Sequence, residues 1–88
     1  MSEIRVMIIE DHALMREGIK AIVSRDSNIR VIAESDNVDD GYYAVMENKP
    51  DILLLDISLH GSSGLVLARK LLGEMPELKI ILKTAAFL

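Results

Sequence analysis

Eighty-eight residues, half of them apolar, suffice for one small domain with its own core, and no apolar run approaches the roughly 20 residues of a membrane span. The absence of cysteine excludes disulfides, thiol catalysis and cysteine-based zinc sites, and a formal net charge of −4 argues against this segment gripping nucleic acid itself. The N-terminus runs directly into β-forming residues with no secretory pattern, so a soluble cytoplasmic protein is expected.

Ile4 to Ile9 is rich in β-formers and stops at the acids Glu10 and Asp11. After His12 the spacing predicts a helix over Leu14 to Ser24. Its apolar stripe is Leu14, Met15, Gly18, Ile19, Ile22 and Val23, with Arg16, Glu17 and Lys20 on the wet face. Asp26-Ser27-Asn28 is turn chemistry, Ile29 to Ala33 a short strand, and Glu34 to Asn37 a polar loop. A second helix is predicted over Val38 to Asn48, with Val38, Tyr42 and Val45 on one face and Asp39 and Asp40 at the positive end of its dipole.

Pro50-Asp51 introduces Ile52 to Leu55, four consecutive apolar residues closed by Asp56. A run that short and that apolar is expected to be a strand buried on both faces of a parallel sheet. Ser58 to Gly64 reads as a flexible loop in which Ser62 or Ser63 can cap a third helix over Gly64 to Gly73. The buried stripe predicted for that helix includes Leu65, Ala68, Leu71 and Leu72. Met75-Pro76-Glu77 breaks it, and Lys79 to Thr84 reads as a fourth strand. Strands and helices that alternate with short connections call for right-handed crossovers and a parallel sheet with helices on both faces.

Open sheets of this kind place their ligands at the C-terminal ends of the strands. Glu10 and Asp11 lie at the end of the first strand and Asp56 at the end of the third. If those strands are neighbours, three carboxylates converge, which raises a pKa or demands a cation. An all-oxygen donor set suits Mg²⁺, and one carboxylate could then attack phosphorus while the metal offsets charge. Thr84 would add a hydroxyl at the same edge. Taken singly, an acid at a strand end is more often a solvated loop residue; the conjunction carries the reading. His60 reads as a solvated loop residue, Tyr42 and Tyr43 as helix packing, and Arg69-Lys70 as an exposed face.

Ile8-Ile9-Glu10-Asp11-His12, Met15-Arg16-Glu17-Gly18-Ile19 and Pro50 to Asp56 together resemble the receiver domain of bacterial two-component response regulators. The His after the acid pair and the Arg-Glu-Gly-Ile stretch look most like receivers that carry a LuxR-type helix-turn-helix output domain. The resemblance implies a flavodoxin-like doubly wound parallel α/β sheet, in strand order 2-1-3-4 here, with residues 1–88 as one domain. It implies that Asp56 accepts a phosphoryl group from a sensor histidine kinase, the domain catalysing its own modification but turning over no metabolite. Mg²⁺ would be held by Glu10, Asp11, Asp56 and the Ser58 backbone carbonyl, and Thr84 would be the switch hydroxyl. DNA would be contacted only through an output domain outside this chain.

The sequence also departs from that family. His60 replaces a usual proline four residues after Asp56, so a looser loop is expected. Lys83 stands where the family has an apolar residue in a buried strand, and an unpaired ammonium there would be costly. The fourth helix, fifth strand and fifth helix of the family are expected to be absent, and with them the lysine that follows the fifth strand. Lys83, on a different strand, is not expected to substitute for it. A truncated receiver would expose the edge carrying Ile80, Ile81 and Leu82, followed by Ala85-Ala86-Phe87-Leu88, and self-association there is expected. Two alternatives stay open: a non-switching interaction or dimerisation module, and a haloacid-dehalogenase-like phosphatase. The latter keeps its two acids two residues apart after the first strand, unlike the adjacent Glu10 and Asp11.

Overall fold

The strand β1 (Ile4–Ile9) pairs on both of its edges, with β2 (Ile29–Ser35) on one side and β3 (Ile52–Asp56) on the other. The free edge of β3 takes β4 (Lys79–Lys83), giving a parallel sheet of order β2-β1-β3-β4, as expected. The crossovers are α1 (Ala13–Val23), α2 (Val38–Asn48) and α3 (Gly64–Glu74). This computed structural model describes residues 3–59 and 64–83. No helix among them is long and apolar enough to cross a membrane.

Alternation along the strands sorts the apolar side chains into two layers. Met7, Ile9, Leu53 and Leu55 are fully buried and form one core with Val45 of α2 and Leu67, Ala68 and Leu71 of α3. On the other face Ile8, Leu54 and Ile81 are partners in register, and α1 brings Ile19 towards them. That cover is thin: Leu54 is only half-buried and Ile81 is exposed. Burial of β3 on both faces, expected from its sequence, therefore holds for one face. The stripe of α1 is likewise corrected, because none of its residues is buried and Leu14, Met15 and Ile22 are exposed. Arg16 and Lys20, assigned by sequence to the wet face, instead lean onto β2, where both pair with Glu34.

Those ion pairs also explain why β2 runs to Ser35 rather than stopping at Ala33. Glu34 becomes part of the strand, and a register shift between Val6 and Met7 lets the Ser35 carbonyl accept the Glu10 N–H at 3.0 Å. The bounds of α2 follow its local chemistry. Asn37 Oδ1 accepts the Asp40 N–H at 2.8 Å as an N-cap, and Lys49 closes the helix at φ 47°. The Arg5 guanidinium donates to the carbonyls of Asn48 and Lys49, satisfying the helix end. The Arg5 N–H donates to Asp51 Oδ2 at 2.8 Å, which ties the entry of β3 to β1.

The phase of α3 differs from its prediction. Gly64, Leu67, Ala68 and Leu71 are buried, whereas Leu65 and Leu72 are exposed. The cause lies at the first residue: a Cβ on Gly64 would sit 2.6 Å from the Asp56 carbonyl oxygen. The helix starts in direct contact with the end of β3, and that contact sets which stripe faces inwards. The proposed caps Ser62 and Ser63 lie outside the described residues.

Candidate functional site

Because Ile9 and Leu55 are partners in register, the residues just beyond them, Glu10 and Asp56, emerge side by side. Both carboxylates are 1% exposed. One ligand atom each from Glu10, Asp11, His12 and Asp56 lies within 4.8 Å of the others. Asp56 Oδ1 accepts the Ser58 N–H at 2.9 Å and the Ser58 hydroxyl at 2.7 Å. Its second oxygen, Oδ2, accepts no hydrogen bond among the described residues. Glu10 Oε2 accepts the His12 N–H at 3.0 Å and lies 3.0 Å from His12 Nδ1, which is also 3.1 Å from Asp11 Oδ1. Arg16 Nη1 donates to the Glu10 carbonyl at 2.8 Å, pinning the turn between β1 and α1.

A cation enters from the neighbouring strand. Asp56 and Lys83 are partners in register, so their side chains project to the same face. Lys83 Nζ lies 3.0 Å from Glu10 Oε1 and 3.7 Å from Asp56 Oδ2. Burial pushes the Asp56 carboxyl up, but the Ser58 amide and hydroxyl and the Lys83 ammonium outweigh it, so its pKa falls below the usual range. Burial pushes Lys83 down, and the Glu10 and Asp56 carboxylates more than reverse that, leaving it raised. The His12 pKa is raised by its hydrogen bond to Glu10 and then by the charge of Asp11.

The donor set suits a hard divalent cation. Three carboxylates converge, and the buried Glu10 Oε1 and Asp56 Oδ2 lack aligned hydrogen-bond donors among the described residues. Beside them opens a groove of about 220 Å³ lined by Ile8, Ile19, Leu54 and Ile81. The response regulator receiver domain family matches residues 6–87. The chain belongs to that family.

As a receiver it is 37% identical over 81 residues to the oxygen regulatory protein NreC of Staphylococcus aureus, covering 91% of this chain and 37% of NreC. It is 33% identical over 84 residues to a nitrate/nitrite response regulator protein homolog of Haemophilus influenzae, covering 96% of this chain and 40% of that protein. The chain thus spans about 40% of the length of these curated relatives. Among solved structures, a LuxR-family response regulator from an Aurantimonas species superposes with a TM-score of 0.90 at 28% identity, covering 98% of this chain and 61% of that one. The receiver domain of NarL from Mycobacterium tuberculosis superposes with a TM-score of 0.90 at 25% identity, covering 100% of this chain and 71% of that one.

Within this receiver, the expected residues Glu10, Asp11 and Asp56 do come together, and Ser58 joins them through its amide and hydroxyl. Thr84 and His60 lie outside the described residues. Three participants were not assigned to the site from sequence: His12, Arg16 and above all Lys83. From sequence, Lys83 lies on a different strand from the family's lysine and is not expected to substitute for it. The available signal was its place five residues into a strand that pairs residue for residue with Ile52 to Asp56.

Proposed function

We propose that this receiver is a phosphorylation-controlled signalling module in which Asp56 accepts a phosphoryl group from the phosphohistidine of a sensor kinase. One observation carries the reading: a buried carboxylate with one oxygen tied to Ser58 and the other, Oδ2, without a hydrogen bond among the described residues, beside Glu10. Asp56 Oδ2 attacks phosphorus, the bond from phosphorus to the kinase imidazole nitrogen breaks, and that nitrogen keeps the electron pair. The depressed pKa of Asp56 keeps it an anion, as a nucleophile must be. Glu10, Asp11, Asp56 and the Ser58 backbone carbonyl would hold Mg²⁺. When bound, that ion offsets the charge of the transferring group. Thr84, the residue after β4, serves as the switch hydroxyl that meets the phosphoryl oxygen.

The two relatives named above are regulators, and the Aurantimonas structure is of the LuxR family. They support a role in which the phosphorylated receiver controls a DNA-binding output domain of the full-length protein. Contact with DNA then belongs to that domain, in keeping with the net charge of −4 here. The deciding experiment incubates the full-length protein with acetyl phosphate and Mg²⁺ and reads intact mass. One added phosphate is expected in the wild type and none in Asp56→Asn. Persistent labelling of Asp56→Asn would move the nucleophile elsewhere and refute the assignment.

A further inference from the structure

The site carries a charge from a strand that the acid motif does not include. We propose that Lys83 is the resident counter-cation of the acidic cluster, holding Glu10 and Asp56 together and competing with a divalent ion for the same two oxygens. The inference deepens the reading of this cluster as a cation site, and rests on it. Lys83 would then set the affinity of the site for the ion rather than merely stabilise β4.

Three observations support this. The first is that the ammonium lies 3.0 Å from Glu10 Oε1 and 3.7 Å from Asp56 Oδ2, buried oxygens that lack aligned donors among the described residues. They belong to carboxylates of the cluster that would hold a divalent ion. The second is that the lysine backbone is anchored: Asp56 and Lys83 are in register, and the Ile57 N–H donates to the Lys83 carbonyl at 3.0 Å. The ammonium therefore stays within reach of the cluster for as long as β4 is paired. The third is that its side chain is 29% exposed and borders the groove beside Ile81, so its end has room to step aside without detaching the strand.

The charges set the sign. An ammonium and a divalent ion drawn to the same carboxylates repel each other, so Lys83 would move aside on ion binding while both charges remain close. Repulsion of that kind, even in a watery dielectric and screened by salt, weakens ion binding by about fivefold or more. Removing the ammonium should return that factor. It should also leave the three carboxylates unneutralised, so that the ion stabilises the fold more.

Calorimetric Mg²⁺ titration of the full-length protein tests this, with wild type, Lys83→Met, Lys83→Gln and Lys83→Arg compared at one ionic strength. The Met and Gln variants should bind Mg²⁺ about fivefold or more tightly than wild type, and Lys83→Arg should stay close to wild type. Melting curves should show a larger rise with Mg²⁺ for Met and Gln than for wild type. If one neutral variant fails to fold, the other carries the comparison. A lysine with a merely structural role would shift the melting temperature but leave Mg²⁺ affinity unchanged, and that result overturns the proposal. Weaker binding in the neutral variants overturns it equally. Absence of Mg²⁺ binding in all four proteins refutes the cluster as a cation site, and the inference with it.

Discussion

Replacing Gly64 by alanine should damage both the fold and the site, and the structure shows by how much. The added Cβ would meet the Asp56 carbonyl oxygen at 2.6 Å, Ile57 Cα at 2.7 Å and the Asp56 carbonyl carbon at 3.3 Å. All three are backbone atoms, so no rotamer change relieves the clash, and the start of α3 must retreat from the end of β3 by several tenths of an ångström. Overpacking of this kind costs about 1–3 kcal/mol, against a helix-propensity gain of at most ~1 kcal/mol, so a net loss of about 1 kcal/mol is expected. For a domain of this size that lowers the melting temperature by about 5 °C. Gly18 is the internal control: a Cβ there meets nothing within 4 Å, so Gly18→Ala should gain about 0.5–1 kcal/mol. Urea unfolding of the two variants beside wild type measures both signs. Because the strained peptide is that of Asp56 itself, Gly64→Ala should also slow phosphorylation by acetyl phosphate. A Gly64→Ala protein as stable as wild type would refute the claim that this contact sets the phase of α3.

Two further outcomes follow from the charges and the open sheet edge. The Glu34 pKa is lowered, chiefly by its hydrogen bond to Lys20 and less by Arg16, against a burial effect of opposite sign. A carboxyl depressed in the folded state contributes stability that is complete above its unfolded value and is lost as pH falls through the folded one. Glu34→Gln should therefore flatten part of the acid limb of the stability curve, and an unchanged limb in acid titrations followed by circular dichroism would count against that ion pair. Among the described residues β4 pairs only with β3, and Ile81 and Leu82 are exposed, so the 88-residue chain taken alone should self-associate through that edge. Light scattering across a dilution series reads it; a monomer at tens of micromolar would show the edge to be protected.

Much of this receiver is legible in the residues themselves, and the limits of that legibility have a common origin. The bounds of β1 and α2 and the acids at the strand ends follow from local chemistry: an apolar run stopping at Glu10, an Asn37 cap, a turn at Pro50-Asp51. The pairing of β1 with β3, which joins Glu10 to Asp56, follows from the family pattern as soon as the motifs are recognised. Helix phase does not follow in that way. Leu65 and Leu67 of α3 are equally apolar, and only the contact of Gly64 with the end of β3 decides that Leu67 turns inwards. The exposure of Leu14 and Ile22 on α1 likewise depends on what the opposite sheet face offers, since spacing defines a stripe but not a partner for it. Lys83 is the sharpest case. In the sequence it is a cation misplaced in an apolar strand; in the structure, register with Asp56 brings it to 3.0 Å from Glu10, a residue 73 positions away in the chain (83 − 10). Local propensity acts over a few residues, whereas charge pairing acts through space, so its partner is decided only when the strands are laid side by side.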